Sequence, residues 1–167
     1  MKINNKHKDM KLKVILMCLI GMTICQYLSA QSFGAPYSSV ECVNVELDGS
    51  LTVRVSGEGR NRADAREQAK KNAVYNVIFK GVKTENRNSQ YSKPLILEVN
   101  AEEKYEDFTN QFFKDGGKYL EFTSMLDKRP STSTHVDAGT QKEWRITLRV
   151  LRPALKEYLI NQGIIKK

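Results

Sequence analysis

The spacing of apolar and polar positions changes period several times along this chain, and each change predicts an element. The run VECVNVEL, residues 40–47, alternates toward Asp48-Gly49, and SLTVRVS alternates again after it. Two alternating runs around Asp-Gly predict a β-hairpin, with strands at about 40–47 and 50–56. The period then becomes helical. Ala65, Ala69, Ala73 and Val77 recur every four residues, and Val74 and Ile78 widen the stripe. Asn61 is placed to cap this helix and Gly81 to stop it. Between strand and helix, Gly57 and Gly59 read as a structural turn that needs positive φ.

Beyond a polar connection, KTENRNSQYS, the apolar run KPLILEV at 93–99 predicts a short strand. Asn100 and Glu103 form an Asn-x-x-Glu variant of the capping box at the head of AEEKYEDFTNQFFKDGG. Tyr105, Phe108 and Phe112 stand at helical spacing there, a stripe that reads as core, and Gly116-Gly117 ends the helix. KYLEFTSML alternates again, and EWRITLRVL places Trp144, Ile146, Leu148 and Val150 on one face and Arg145, Thr147 and Arg149 on the other. The pair predicts a long hairpin with an open, mobile tip in the Ser/Thr-rich segment between them. Pro153 and Gly163 frame PALKEYLIN as a short terminal helix. The order contains no regular βαβ alternation. It predicts a single α+β domain at 40–167, an antiparallel or mixed sheet of four to five strands with two to three helices packed mainly on one face.

The first thirty residues follow a different logic. Lys2, Lys6, Lys8, Lys11 and Lys13 precede the apolar run VILMCLIGMTIC and then the small-residue stretch LSA. That order is the basic, hydrophobic and cleavage regions of a signal peptide. The apolar run is about a dozen residues, short of the roughly 20 that a spanning helix needs. Cleavage is expected near Ala30, with residues 31–39 as a flexible lead-in. An uncleaved anchor is the alternative. Lipidation at Cys25 is a further one, although Ile24 departs from the small residue that such a site prefers. The expected address is outside the cytoplasm: the periplasm, the outer membrane or the cell surface.

Removal of residues 1–30 takes away five lysines and one aspartate and lowers the formal charge from +8 to +4. Much of the basicity therefore belongs to the signal, and nucleic acid is not an expected partner. Cys42 is left as the single thiol, so no intramolecular disulfide is available and a buried strand position is expected, with an intermolecular bridge as the alternative. His135 is the single remaining histidine. A closed zinc site, a nucleophilic triad and a metal or organic cofactor are not expected. Glu102, Glu103, Glu106 and Asp107 fall in the first turns of a helix, where the dipole favours negative charge. A hydrolase acting on envelope polymers, with Glu102, Glu106 or His135 in acid-base roles, is an alternative. Arg62, Arg66, Lys70 and Lys71 form the candidate binding face, solvated or open to a polyanion or glycan.

Two resemblances attach to the same stretch. GEGRNRADAREQAKKNAVYNVI is similar over 22 residues to the end of a double-stranded-RNA-binding domain, with Arg62 and Arg66 in two basic positions, but Ala63 takes the middle one and Asp64 opposes it. VRVSGEG leading into RADAREQAKKNAVYNVI resembles the N-terminal module of flagellar H-ring proteins and related small bacterial outer-membrane lipoproteins. The matching positions are Gly57, Gly59, Ala65, Ala69 and Ala73, within about 30 residues. This second resemblance implies a helix packed across a sheet and a scaffold or assembly role in the bacterial envelope, without catalysis or cofactor. The expectation is a non-enzymatic, exported envelope protein that acts through a protein or surface partner.

Overall fold

The computed structural model describes residues 39–85, 90–126, 137–138 and 141–166. The expected signal peptide, most of the lead-in and the segment carrying His135 lie outside the described residues. Strand β1 (Glu41–Val45) turns back through a tight hairpin into β2 (Leu51–Gly59). Gly49 sits at φ +80° in that turn, a conformation that glycine adopts without steric cost, and Asp48 accepts a hydrogen bond from the Ser50 amide at 2.9 Å. Helix α1 (Arg62–Tyr75) follows, capped by the Asn61 carboxamide, which accepts from the amides of Ala63 and Asp64. A π-helical turn, Asn76–Lys80, continues it and ends at Gly81 with φ +84°.

The sheet is antiparallel in the order β1-β2-β5-β3, where β3 is Thr123–Met125 and β5 is Gln141–Val150; the two-residue β4 (Asp137–Ala138) pairs with the start of β5. Its centre is the nine-residue pairing of β2 with β5, from Leu51 opposite Val150 to Gly59 opposite Lys142. Along that pair Leu51, Val53, Val55, Ile146, Leu148 and Val150 are buried, while Arg54, Glu58 and Arg145 are exposed. Helix α1 covers the buried face with Ala65, Ala69, Ala73 and Val74, and Val77 and Ile78 of the π-helical turn are buried in the same core. The described domain is α+β, as the periodicities predict.

Gly57 and Gly59 are corrected by this pairing: they are strand residues opposite Trp144 and Lys142, neither has positive φ, and no turn is built on them. Their role is close approach. A Cβ on Gly57 would lie 2.0 Å from the Ala65 carbonyl oxygen and 2.9 Å from the Ala69 Cβ, and one on Gly59 would lie 2.6 Å from the Asp64 Cβ. The helix therefore rests on bare backbone at its first two turns.

Residues 93–99 do not form the expected strand. The amides of Leu95 and Ile96 donate instead to the carbonyls of Val77 and Ile78, at 2.9 and 3.0 Å, so the segment satisfies acceptors of the π-helical turn that continues α1. Ile96 is buried, and Leu97 and Val99 face solvent. The expected capping box is also absent: Asn100 adopts φ 57° and its side chain makes no cap hydrogen bond. The helix behind it is broken at Tyr105 into α2 (Ala101–Lys104) and α3 (Glu106–Phe112). Of the strand expected over KYLEFTSML, only β3 forms, and Lys118–Phe122 is a 3-10 turn. Tyr119 and Phe122, three apart, are both buried there, which is the eclipsed spacing of a three-residue turn. Helix α4 (Arg152–Asn161) has Pro153 in its first turn, and Gly163 follows with φ +72°.

Candidate functional site

The predicted basic residues all lie on α1, but their neighbours divide them. Lys71 places its ammonium 2.5 Å from Asp115 and 5.7 Å from the centroid of the buried Tyr119 ring, leaving 14% of its side chain exposed. Lys70 stands 3.9 Å from Glu67, which also accepts a hydrogen bond from the Tyr119 hydroxyl. The hydrogen bond from Lys71, foremost, and its charge hold the Asp115 carboxyl below its usual value. Arg66 is half-buried, and Arg62 is exposed without an ion pair among the described residues. The face is thus a network tying α1 to the loop 115–119, with the arginines left as its outward charge.

The acidic group is divided in the same way. Glu102 meets Lys80 at 2.6 Å and accepts from the Tyr75 hydroxyl. Burial, its largest influence, would raise the carboxyl, but the hydrogen bonds from Lys80 and Tyr75 outweigh it and hold the pKa below the usual range. Glu103, Glu106 and Asp107 point to solvent. Glu102 and Glu106 sit on different helices, and neither lines the cleft described below. Cys42 is half-buried, its thiol hydrogen-bonded to the Asn44 carbonyl at 3.4 Å and pushed up chiefly by burial. Among the described residues no three His, Cys, Asp or Glu side chains gather at metal-binding distance, and no helix is long and apolar enough to cross a membrane.

Two surface features stand out instead. The first is the free side of the sheet. Among the described residues strand β1 is terminal, and Lys83 covers only its beginning, through hydrogen bonds from the Cys42 amide to the Lys83 carbonyl at 2.7 Å and from the Lys83 amide to the Val40 carbonyl at 2.8 Å. Past that point Val43 is 49% exposed, Val45 36%, and Leu47 at the hairpin turn is fully exposed. The outer sheet face beside them is polar, with Glu41 paired to Arg54 at 3.4 Å and Glu46 held by Thr52 at 2.7 Å and Arg149 at 3.5 Å.

The second is a cleft of about 450 Å³ between α3, the 3-10 turn and α4. Its walls include Phe108, Phe112 and Tyr158, with ring centroids 5.1, 5.7 and 6.4 Å apart for the pairs 108–112, 112–158 and 108–158. Gln111, Lys114, Lys118, Glu121 and Gln162 also line it, with Gly116 and Gly117 at its lip. Lys118 meets Glu121 at 2.8 Å, a hydrogen bond that raises the ammonium above its usual value. Helical spacing predicts Phe108 and Phe112 as core but does not connect them with Tyr158 or the polar rim, because the lining residues lie more than fifty positions apart. The double glycine was their one local signal.

Comparison of the chain with protein-family models, with curated proteins and with solved structures returned no match.

Proposed function

We propose that this chain is an exported, non-enzymatic protein of the bacterial envelope, of scaffold or assembly type, whose partner is another protein docked on the open edge of the sheet at β1. The observation that carries this reading is the exposure of Val43 and Val45 along a terminal strand, and of Leu47 in the turn after it, with no neighbour past Lys83 among the described residues. Apolar side chains on an uncapped edge are a liability in a monomer and a ready template for strand addition by a partner. Export is supported by the order of charge, apolar run and small residues over 1–30. The assembly role is supported by the resemblance to the flagellar H-ring module, whose helix-on-sheet packing has its counterpart in α1 resting on Gly57 and Gly59.

The test is a cross-linked pull-down from the native envelope with the chain tagged at its C-terminus, read by mass spectrometry. A recurring set of envelope proteins is expected, together with a mature N-terminus at Gln31. The same capture from a Val43→Lys, Leu47→Lys double variant should lose that set. An empty capture from the parent, or an undiminished one from the variant, would remove the edge as the docking surface. An N-terminus at Met1 would remove export by cleavage.

A further inference from the structure

We propose that the cleft between α3, the 3-10 turn and α4 is a binding site for a short saccharide carrying a carboxylate, one or two sugar rings in length. This site is separate from the β1 edge and stands whether or not a protein docks there. Its volume of about 450 Å³ lies in the range of small-ligand clefts rather than of protein interfaces. The composition of its lining sets the chemistry.

Phe108 and Tyr158 are only half-buried, so part of each ring faces the cleft, while Phe112 behind them is buried and fixes both rings by stacking. The Phe108 and Tyr158 rings are inclined at 38° to each other and the Lys118 ammonium lies 6.0 Å from the Tyr158 centroid, so Phe108, backed by the buried Phe112, is the ring that suits the C–H face of a pyranose. The polar groups are arranged around that surface. Gln111 and Gln162 bring carboxamides that both donate and accept, and Glu121 brings acceptors, a mixture that matches sugar hydroxyls. Tyr158 lines the same cleft, and its hydroxyl makes no hydrogen bond among the described residues.

Charge selects the acidic sugar. Lys118 is neutralised by Glu121 at 2.8 Å, whereas Lys114 on the same rim has no ion pair among the described residues. The rim therefore carries one uncompensated positive charge beside an apolar floor, and a carboxylate on the ligand would complete it. The lip is shaped to admit such a ligand. Gly116 stands at φ +69° with nothing within 4 Å of the place a Cβ would occupy, so backbone borders the entrance there without a side chain.

The experiment is a titration of the isotope-labelled full chain with digalacturonic acid, followed by amide chemical shifts, with neutral cellobiose as the reference disaccharide. Saturable shifts at Gly116 and Gly117 are expected with the acidic disaccharide, and much smaller ones with cellobiose. Lys114→Gln and Gln162→Ala, both at exposed positions, should leave the fold of the free chain intact; the first should weaken the acidic disaccharide by about tenfold, the worth of one charge-assisted hydrogen bond, and the second by roughly threefold, the worth of a neutral one. Absence of shifts at the two glycines would overturn the site. Equal binding of both disaccharides, or binding unaltered by Lys114→Gln, would overturn the assignment of its ligand.

Discussion

Replacing Gly57 by alanine tests the contact on which the two layers depend. The added Cβ would fall 2.0 Å from the carbonyl oxygen of Ala65 and 2.9 Å from both the Cβ and the amide nitrogen of Ala69, where ordinary contact begins near 3.4 Å. The obstacle is helix backbone, which cannot rotate away, so α1 has to lift by about 1 Å or more. A gap of 0.5–1 Å forfeits roughly a quarter to a half of each dispersion contact. Ala65, Ala69, Ala73 and Val74 all bear on the sheet. Overpacking in a close-packed core costs about 1–3 kcal/mol, and the backbone obstacle puts this case near 3. Alanine also restricts the unfolded chain, which returns roughly 0.4–1 kcal/mol, so a net loss of about 2 kcal/mol is expected. At roughly 4 °C per kcal/mol for a domain of this length, the Tm should fall by about 8 °C. Urea unfolding followed by the fluorescence of Trp144, the single tryptophan, should show a lower midpoint with an unchanged slope. Glu58→Ala, the next residue but facing solvent, is the control and should stay within about 0.5 kcal/mol of the parent. If Gly57→Ala unfolds at the same urea concentration as Glu58→Ala, the close approach does not exist.

Ala69→Leu, on the opposite side of that contact, should destabilise by about 1–3 kcal/mol, and a thermal transition matching the parent would contradict burial of the alanine stripe. The Tyr75 hydroxyl is raised above its usual value near 10 by burial, first, and by the neighbouring Glu102 carboxylate. Because its pKa is higher folded than unfolded, the stability it contributes is whole below about pH 10 and is lost as pH rises toward the folded value. Tyr75→Phe should therefore flatten the alkaline arm of the stability profile, and an unchanged arm would assign the loss to other groups. With Lys70 and Lys71 facing Glu67 and Asp115, Arg62 and Arg66 are the outward charge left on this face of α1, so the parent should be held weakly on heparin; strong, salt-sensitive retention that Arg62→Glu with Arg66→Glu abolishes would restore a polyanion face on α1.

Sequence by itself determined the elements whose boundaries are local. The hairpin, α1 with its Asn61 cap and alanine stripe, the buried face of β5 and the framed terminal helix are all written in short-range periods and end signals. Tertiary structure decided whatever depends on a distant neighbour. Gly57 and Gly59 look like punctuation until β5 extends the ladder past them, and then they become the places where helix meets strand. The apolar run at 93–99 has strand composition, but the carbonyls of Val77 and Ile78 in the π-helical turn after α1 claim its amides first. Tyr119 and Phe122 select a 3-10 turn because both must be buried, which an alternating strand would not allow.

The candidate sites divide along the same line. The basic residues on α1 were legible, but Lys71 is silenced by Asp115, 44 positions away, and spacing along one helix carries no trace of that. The cleft was not legible, since its walls come from α3, a turn and α4, and each wall residue taken singly is an ordinary core aromatic or surface polar group. Local sequence sets the backbone period and which face is apolar. Which groups end up within reach of each other is decided by packing between elements, where distance in space no longer follows distance along the chain.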